Sequence, residues 1–168
     1  MVVADSAAAH PGPARATLPA GIVQALISHA RAEEPNEACG LIIGSGPATD
    51  GGRALRFEPT RNASASPYRY EIDSKDLLRL TLDADDRDEV FWAIVHSHTH
   101  TPARPSPTDI GLAFYPDALY ILVSLAEPGT DPAAPDAAAG DPANPSPTVR
   151  AWRIVEGHVF EVALGVGE

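Results

Sequence analysis

His96-Ser97-His98-Thr99-His100-Thr101-Pro102-Ala103-Arg104-Pro105-Ser106-Pro107-Thr108-Asp109 is the stretch from which the fold and chemistry of this chain are read. Two histidines at i and i+2 in extended backbone project from the same face, so His96 and His98 can reach one metal ion. Asp109, on the next element, completes a three-ligand face. With a fourth position left to water, this is the donor set of a catalytic zinc site rather than a closed structural one. Ser106 and Asp109 also form Ser-Xaa-Xaa-Asp with Pro107 at the first helical position, the signature of a helix start. Such a start orients Asp109, so capping and ligation can share one geometry.

Working outward, Glu89–Val95 reads as a central strand that delivers His96 at its C-terminal end. Ser106–Tyr115 reads as a short helix and Ala118–Leu125 as a buried strand. Upstream, Ala38–Ile43 is a short apolar run followed by Gly-Ser-Gly-Pro, a buried strand with Glu37 at its entrance. Hydrolysis of an amide needs a group that takes a proton from water and passes it to the leaving nitrogen. Glu37 is the candidate, its backbone restricted by Pro35 and Gly40. Glu33 and Glu34 fall at a helix end and read as solvated. Cys39 reads as a packed thiol without a catalytic role. His100, on a turning loop, reads as exposed or near substrate rather than as a ligand, and Ser97 and Thr99 as possible hydrogen-bonding neighbours of the site.

The remaining elements follow from periodicity. Residues 18–33 place Ile22, Leu26 and Ala30 on one helical stripe that Pro35 ends. Arg53–Pro59 and Pro67–Asp73 read as strands. Leucines at 77, 78, 80 and 82 suit a helix over Ser74–Asp85 capped by Ser74. Thr148–Val155 and His158–Leu164 read as a hairpin turning at Glu156-Gly157. Residues 1–16 read as a flexible tail and 127–147, rich in Ala, Pro, Asp and Gly, as a disordered insertion loop, within a single domain over 17–166.

Composition narrows the function. At 168 residues, 44% hydrophobic and 21% charged, the chain has the make-up of one soluble domain. Its net charge of -11 excludes the clustered cations that nucleic-acid binding needs and favours neutral or basic partners. A single cysteine rules out an internal disulfide, and neither a secretory signal nor a membrane-spanning run is read, so a cytoplasmic location is expected.

The pattern Glu37, His96-Xaa-His98, seven residues, Ser106, two residues and Asp109 resembles the JAMM (MPN+) zinc metalloprotease family. The resemblance runs over about residues 18–125 and 148–164. It implies an α/β fold, a cytidine-deaminase-like sandwich in which helices flank a curved mixed β-sheet. It further implies Zn2+ held by His96, His98 and Asp109, Glu37 as general base and Ser106 as a donor to the oxyanion. Many family members carry proline where Thr99 stands, which bears on the shape of that loop. NASASPYRYEID at 62–73 and TVRAWRIVEGHV at 148–159 are similar to bacterial peptidases that release cysteine from a sulfur carrier. The implied partner is a ubiquitin-like sulfur-carrier protein ending in Gly-Gly, a tail without side chains that can enter a narrow groove as an added strand. Deconjugation of a ubiquitin-like modifier, or a non-catalytic MPN-type interaction module, are the alternatives. Oligomeric state is not legible.

Overall fold

In the computed structural model, residues 12, 13, 15–126 and 147–168 are described. The expected insertion loop therefore lies outside the described residues except for its last position, as does most of the expected tail. The elements, in chain order, are β1 (Arg15–Pro19), α1 (Ala20–Glu33), β2 (Cys39–Gly44), β3 (Ala54–Thr60), α2 (Ser74–Asp86), β4 (Val90–His98), α3 (Pro107–Gly111), β5 (Leu119–Ser124), β6 (Thr148–Val155) and β7 (His158–Gly167). A single turn of 3-10 helix spans Ala48–Asp50.

The seven strands form one curled, mixed sheet in the order β1-β7-β6-β5-β4-β2-β3. The β1–β7 and β4–β5 pairs are parallel and the rest antiparallel. Period-2 alternation divides the core between the two faces. Ile42, Ala93, Val95, Leu119, Ile121 and Val123 pack with Leu18 and with Ile22, Leu26 and Ala30 of α1. Leu41, Ile43, Ile94, Tyr120, Leu122 and Trp152 pack on the opposite face with Leu80 of α2. Each fully buried Leu or Ile contributes roughly 1.5–3 kcal/mol by removal from water, so α1 and α2 are held mainly by these faces. The α/β sandwich with helices on a mixed sheet is thus as expected. No helix among the described residues is long and apolar enough to cross a membrane.

Five local expectations change. The tail expected to run through residue 16 gives way at Arg15 to β1, whose Ala16 and Leu18 are buried and which pairs with β7 from Arg15↔Ala163 to Pro19↔Gly167. Burial of those two side chains and a parallel partner offset the ordering entropy that a free tail would keep. Consequently α1 starts at Ala20, after Pro19, rather than at Leu18. Residues 67–73 form no strand: only an isolated Asn62↔Ile72 bridge is present, because the Asn62 side chain takes the backbone bonds of Arg69 and Glu71. The cap of α2 is Asp73, whose carboxylate accepts from the N–H groups of Lys75 and Asp76, with Ser74 the first helical residue. Finally, α3 ends at Gly111, four residues short of the expected Tyr115.

Candidate metal centre

β4 is longer than its sequence reading and includes both histidines. Ile94, His96 and His98 share one parity, so the imidazoles continue the face that Ile94 packs against α2. Both are buried, at 1% and 4% exposure, which removes competing water from their nitrogens. The parallel neighbour β5 fixes the strand beneath them, with His96 opposite Leu122 and His98 opposite Ser124.

Asp109 arrives from α3. Its Oδ2 accepts from the Ser106 N–H at 2.8 Å, while Ser106 Oγ accepts from the Asp109 N–H at 3.1 Å. This reciprocal capping box locks the carboxylate at the helix start, with Pro107 supplying a pre-set first position.

The three donors converge. His96 Nε2 and His98 Nε2 are 3.2 Å apart, and each is 3.2 Å from Asp109 Oδ2. Two donors at zinc bond lengths and a tetrahedral angle would be about 3.3 Å apart, so the triangle has the dimensions of a metal face. The donor chemistry agrees. His98 Nδ1 lies 2.8 Å from the Pro102 carbonyl, which can only accept, so Nδ1 carries the hydrogen and the neutral ring presents a lone pair at Nε2. A lone pair aimed at a carboxylate requires a cation between them, a proton or a metal. Among the described residues, His96, His98 and Asp109 are the one group of three such side chains able to hold a metal ion.

The same convergence sets the electrostatics. Burial pushes the Asp109 carboxyl up, but where protons occupy the facing nitrogens of His96 and His98 their interactions outweigh it and hold the group well below the usual carboxylate range. Burial lowers His96. For His98 burial also acts downward, yet Asp109 and the Pro102 carbonyl raise it overall.

Glu37 stands at the entrance of β2, where the antiparallel register Cys39↔His96 continues towards the level of His98. Its N–H donates to the Ser66 carbonyl (2.8 Å) and its own carbonyl accepts from Asn62 Nδ2 (3.0 Å). The next residue is tied to β4 twice: Ala38 N–H donates to Ser97 Oγ and Ser97 N–H to the Ala38 carbonyl. Glu37 is 5% exposed and its Oε2 has no hydrogen-bond partner among the described residues. Burial raises its pKa to about 7; His98 opposes the shift and Asp109 adds to it. A carboxylate so placed holds or releases a proton near neutral pH, as a proton shuttle must.

Around this core, Cys39 is buried against Thr60 Oγ1 at 3.3 Å, and burial pushes its thiol up to about 11, in keeping with an inert packed residue. Thr99 Oγ1 donates to the Pro67 carbonyl and lies 2.8 Å from Nδ1 of His100, which is exposed and outside the donor triangle. Two participants escaped the sequence reading. Asn62 is buried with all its bonding capacity used on Glu37, Ser64, Arg69 and Glu71, and Tyr70 stacks on His96. Only the alternation of Tyr70 with Ile72 hinted at an inward ring; a lone asparagine carries no signal.

A curled mixed sheet flanked by helices, with two strand histidines and a helix-start aspartate converging beside a buried glutamate, defines a JAB/MPN-type domain. The chain belongs to the family described as prokaryotic homologues of the JAB domain, which matches residues 19–137. It is 38% identical over 149 residues to the CysO-cysteine peptidase of Mycobacterium tuberculosis, covering 89% of each chain. It is 27% identical over 115 residues to a desampylase of Haloferax volcanii, covering 66% of this chain and 81% of that one. Its fold is similar to the solution structure of a protein from Desulfitobacterium hafniense, with a TM-score of 0.71, 31% identity and coverage of 90% and 92%.

Proposed function

We propose that this chain is a zinc-dependent peptidase that hydrolyses the amide bond after the C-terminal Gly-Gly of a ubiquitin-like sulfur-carrier protein, releasing cysteine or a short extension. The observation that carries the hydrolytic part is the 3.2 Å triangle of His96, His98 and Asp109 beside a buried, unpartnered Glu37 oxygen. The substrate part rests on similarity to the CysO-cysteine peptidase over most of both chains.

His96, His98 and Asp109 would hold the ion. Zinc supplies Lewis-acid chemistry: it polarises a carbonyl and lowers the pKa of water to about 7. Glu37 takes the proton of the attacking water at its carboxylate and delivers it to the leaving amine nitrogen. Burial raises the Glu37 carboxyl in the metal-free fold, and a dication held beside it would act the other way, favouring the carboxylate that accepts the proton. Ser106 Oγ already accepts from the Asp109 N–H, which leaves its own O–H free of that bond to donate to the substrate oxygen as negative charge grows there. The Pro102 carbonyl keeps His98 in the required tautomer throughout.

The test is mass spectrometry of carrier proteins carrying a C-terminal cysteine after Gly-Gly, incubated with the zinc-loaded protein. Shortening by one cysteine residue is expected. An adduct left intact while a control peptidase cleaves it would overturn the reading. The desampylase match favours a second substrate, a ubiquitin-like modifier linked to lysine, and release of free modifier from such a conjugate would select it.

A further inference from the structure

Tyr70 lies flat on His96, with ring centroids 4.3 Å apart and planes 19° from parallel. His96 is otherwise unusual for a candidate ligand. Imidazoles that bind metals ordinarily donate from the far nitrogen to a carbonyl or carboxylate, and that bond sets the plane of the ring. His98 has such a bond, to Pro102. His96 has none: its Nδ1 is buried without a hydrogen-bond partner among the described residues. Packing must therefore orient this ring. Among the described residues its ring contacts are the tilted one with His98, centroids 5.0 Å apart, and the stacked one with Tyr70.

Tyr70 is itself rigidly mounted although it lies outside any strand. The carbonyl before it, of Arg69, accepts from Asn62 Nδ2, and the N–H after it, of Glu71, donates to Asn62 Oδ1. The same Nδ2 also donates to the Glu37 carbonyl. One buried amide thus clamps the backbone on both sides of Tyr70 and ties it to the strand entrance that carries Glu37.

We infer that Tyr70 is a positioning residue for His96: its ring face replaces the missing far-nitrogen hydrogen bond and aims Nε2 at the point shared with His98 and Asp109. A flat contact resists tilting of the imidazole, because tilting separates the rings on one edge and drives them together on the other. The phenolic oxygen has no part in this, so a phenyl ring serves equally.

The inference rests on the metal-binding reading of the site, and metal binding itself provides the test. Zinc affinity is measured by competition with a chromophoric chelator, and ligand geometry by the visible spectrum of the cobalt(II) form, for the full chain and for Tyr70→Phe and Tyr70→Leu. Tyr70→Phe should match the parent in both. Tyr70→Leu should bind zinc roughly tenfold more weakly, the low end for loss of a ligand-orienting partner, and give altered cobalt bands. A folded Tyr70→Leu with parental affinity and an unchanged cobalt spectrum would overturn the inference, as would a Tyr70→Phe variant as weak as Tyr70→Leu. If Tyr70→Leu fails to fold, Tyr70→Met, whose flexible unbranched chain adapts to the gap without a flat face, is judged by the same two readouts. A parent chain that takes up neither metal would remove the metal reading and this inference with it, a result distinct from parity between parent and variant.

Discussion

Glu37 is the buried acid beside the donor triangle, and the proposed proton transfer rests on it. Its acidity is set by burial, against an ordinary value of 4.5, and it titrates at about 7 in the metal-free fold. The folded state therefore prefers the protonated form. That contribution to stability is complete below the ordinary value and is lost as the pH rises through about 7. Glu37→Gln abolishes the titration, so the metal-free variant should gain stability over the parent as the pH is raised to about 8, by on the order of 2–3 kcal/mol, and the gain should vanish near pH 4. Urea denaturation at the two pH values measures it; a gain independent of pH would contradict the burial argument. In the zinc-loaded protein the same change should lower turnover by roughly a hundredfold or more while zinc content, read by elemental analysis, stays stoichiometric. Loss of both together would make Glu37 a structural support of the ligands rather than the base.

Among the elements, α3 carries the most function for its size. It is five residues long, and its first turn orients Asp109 through the capping box with Ser106. Ser106 has a sufficient structural role there, so the oxyanion role needs a variant that separates the two. Glycine is a fair N-cap and costs only a few tenths of a kcal/mol, whereas alanine costs about 1 kcal/mol. If the Ser106 hydroxyl donates to the developing charge, Ser106→Gly and Ser106→Ala should both lose about a hundredfold in kcat, despite their different melting temperatures. Retained activity in Ser106→Gly would reduce the serine to a cap. β4 makes the complementary contribution. It runs through His98 and carries both histidines in a strand rather than in a loop, His96 paired with β2 and β5 and His98 with β5. This fixes their spacing before any ion is bound.

At the scale of the whole molecule, metal binding as proposed would be linked to folding, because the donor triangle joins β4 to α3. An ion that binds only the folded chain stabilises it by mass action, about 2.7 kcal/mol when free metal is a hundred times its dissociation constant. Zinc should therefore raise the melting temperature of the chelator-treated protein, and His98→Ala should abolish the increase. A zinc-induced rise that survives His98→Ala would place the ion elsewhere. The local chemistry was open to reading in the sequence because it depends on short-range regularities. Alternation brings His96 and His98 to one face, Ser-Pro-Xaa-Asp starts a helix, and the apolar stripes of α1 and α2 give their faces. What needed the tertiary structure was every decision that depends on a distant partner. Arg15–Pro19 became a strand because β7 offers it a parallel edge and the core accepts Ala16 and Leu18. Residues 67–73, with a strand-like alternation, lost their ladder because one buried asparagine satisfies the backbone instead. Tyr70 reached His96 for the same reason. The sequence alone picked out His96, His98 and Asp109 as candidate donors; the packed fold decided how they are aimed, since hydrogen bonds and ring contacts between remote segments leave no periodic trace in the chain.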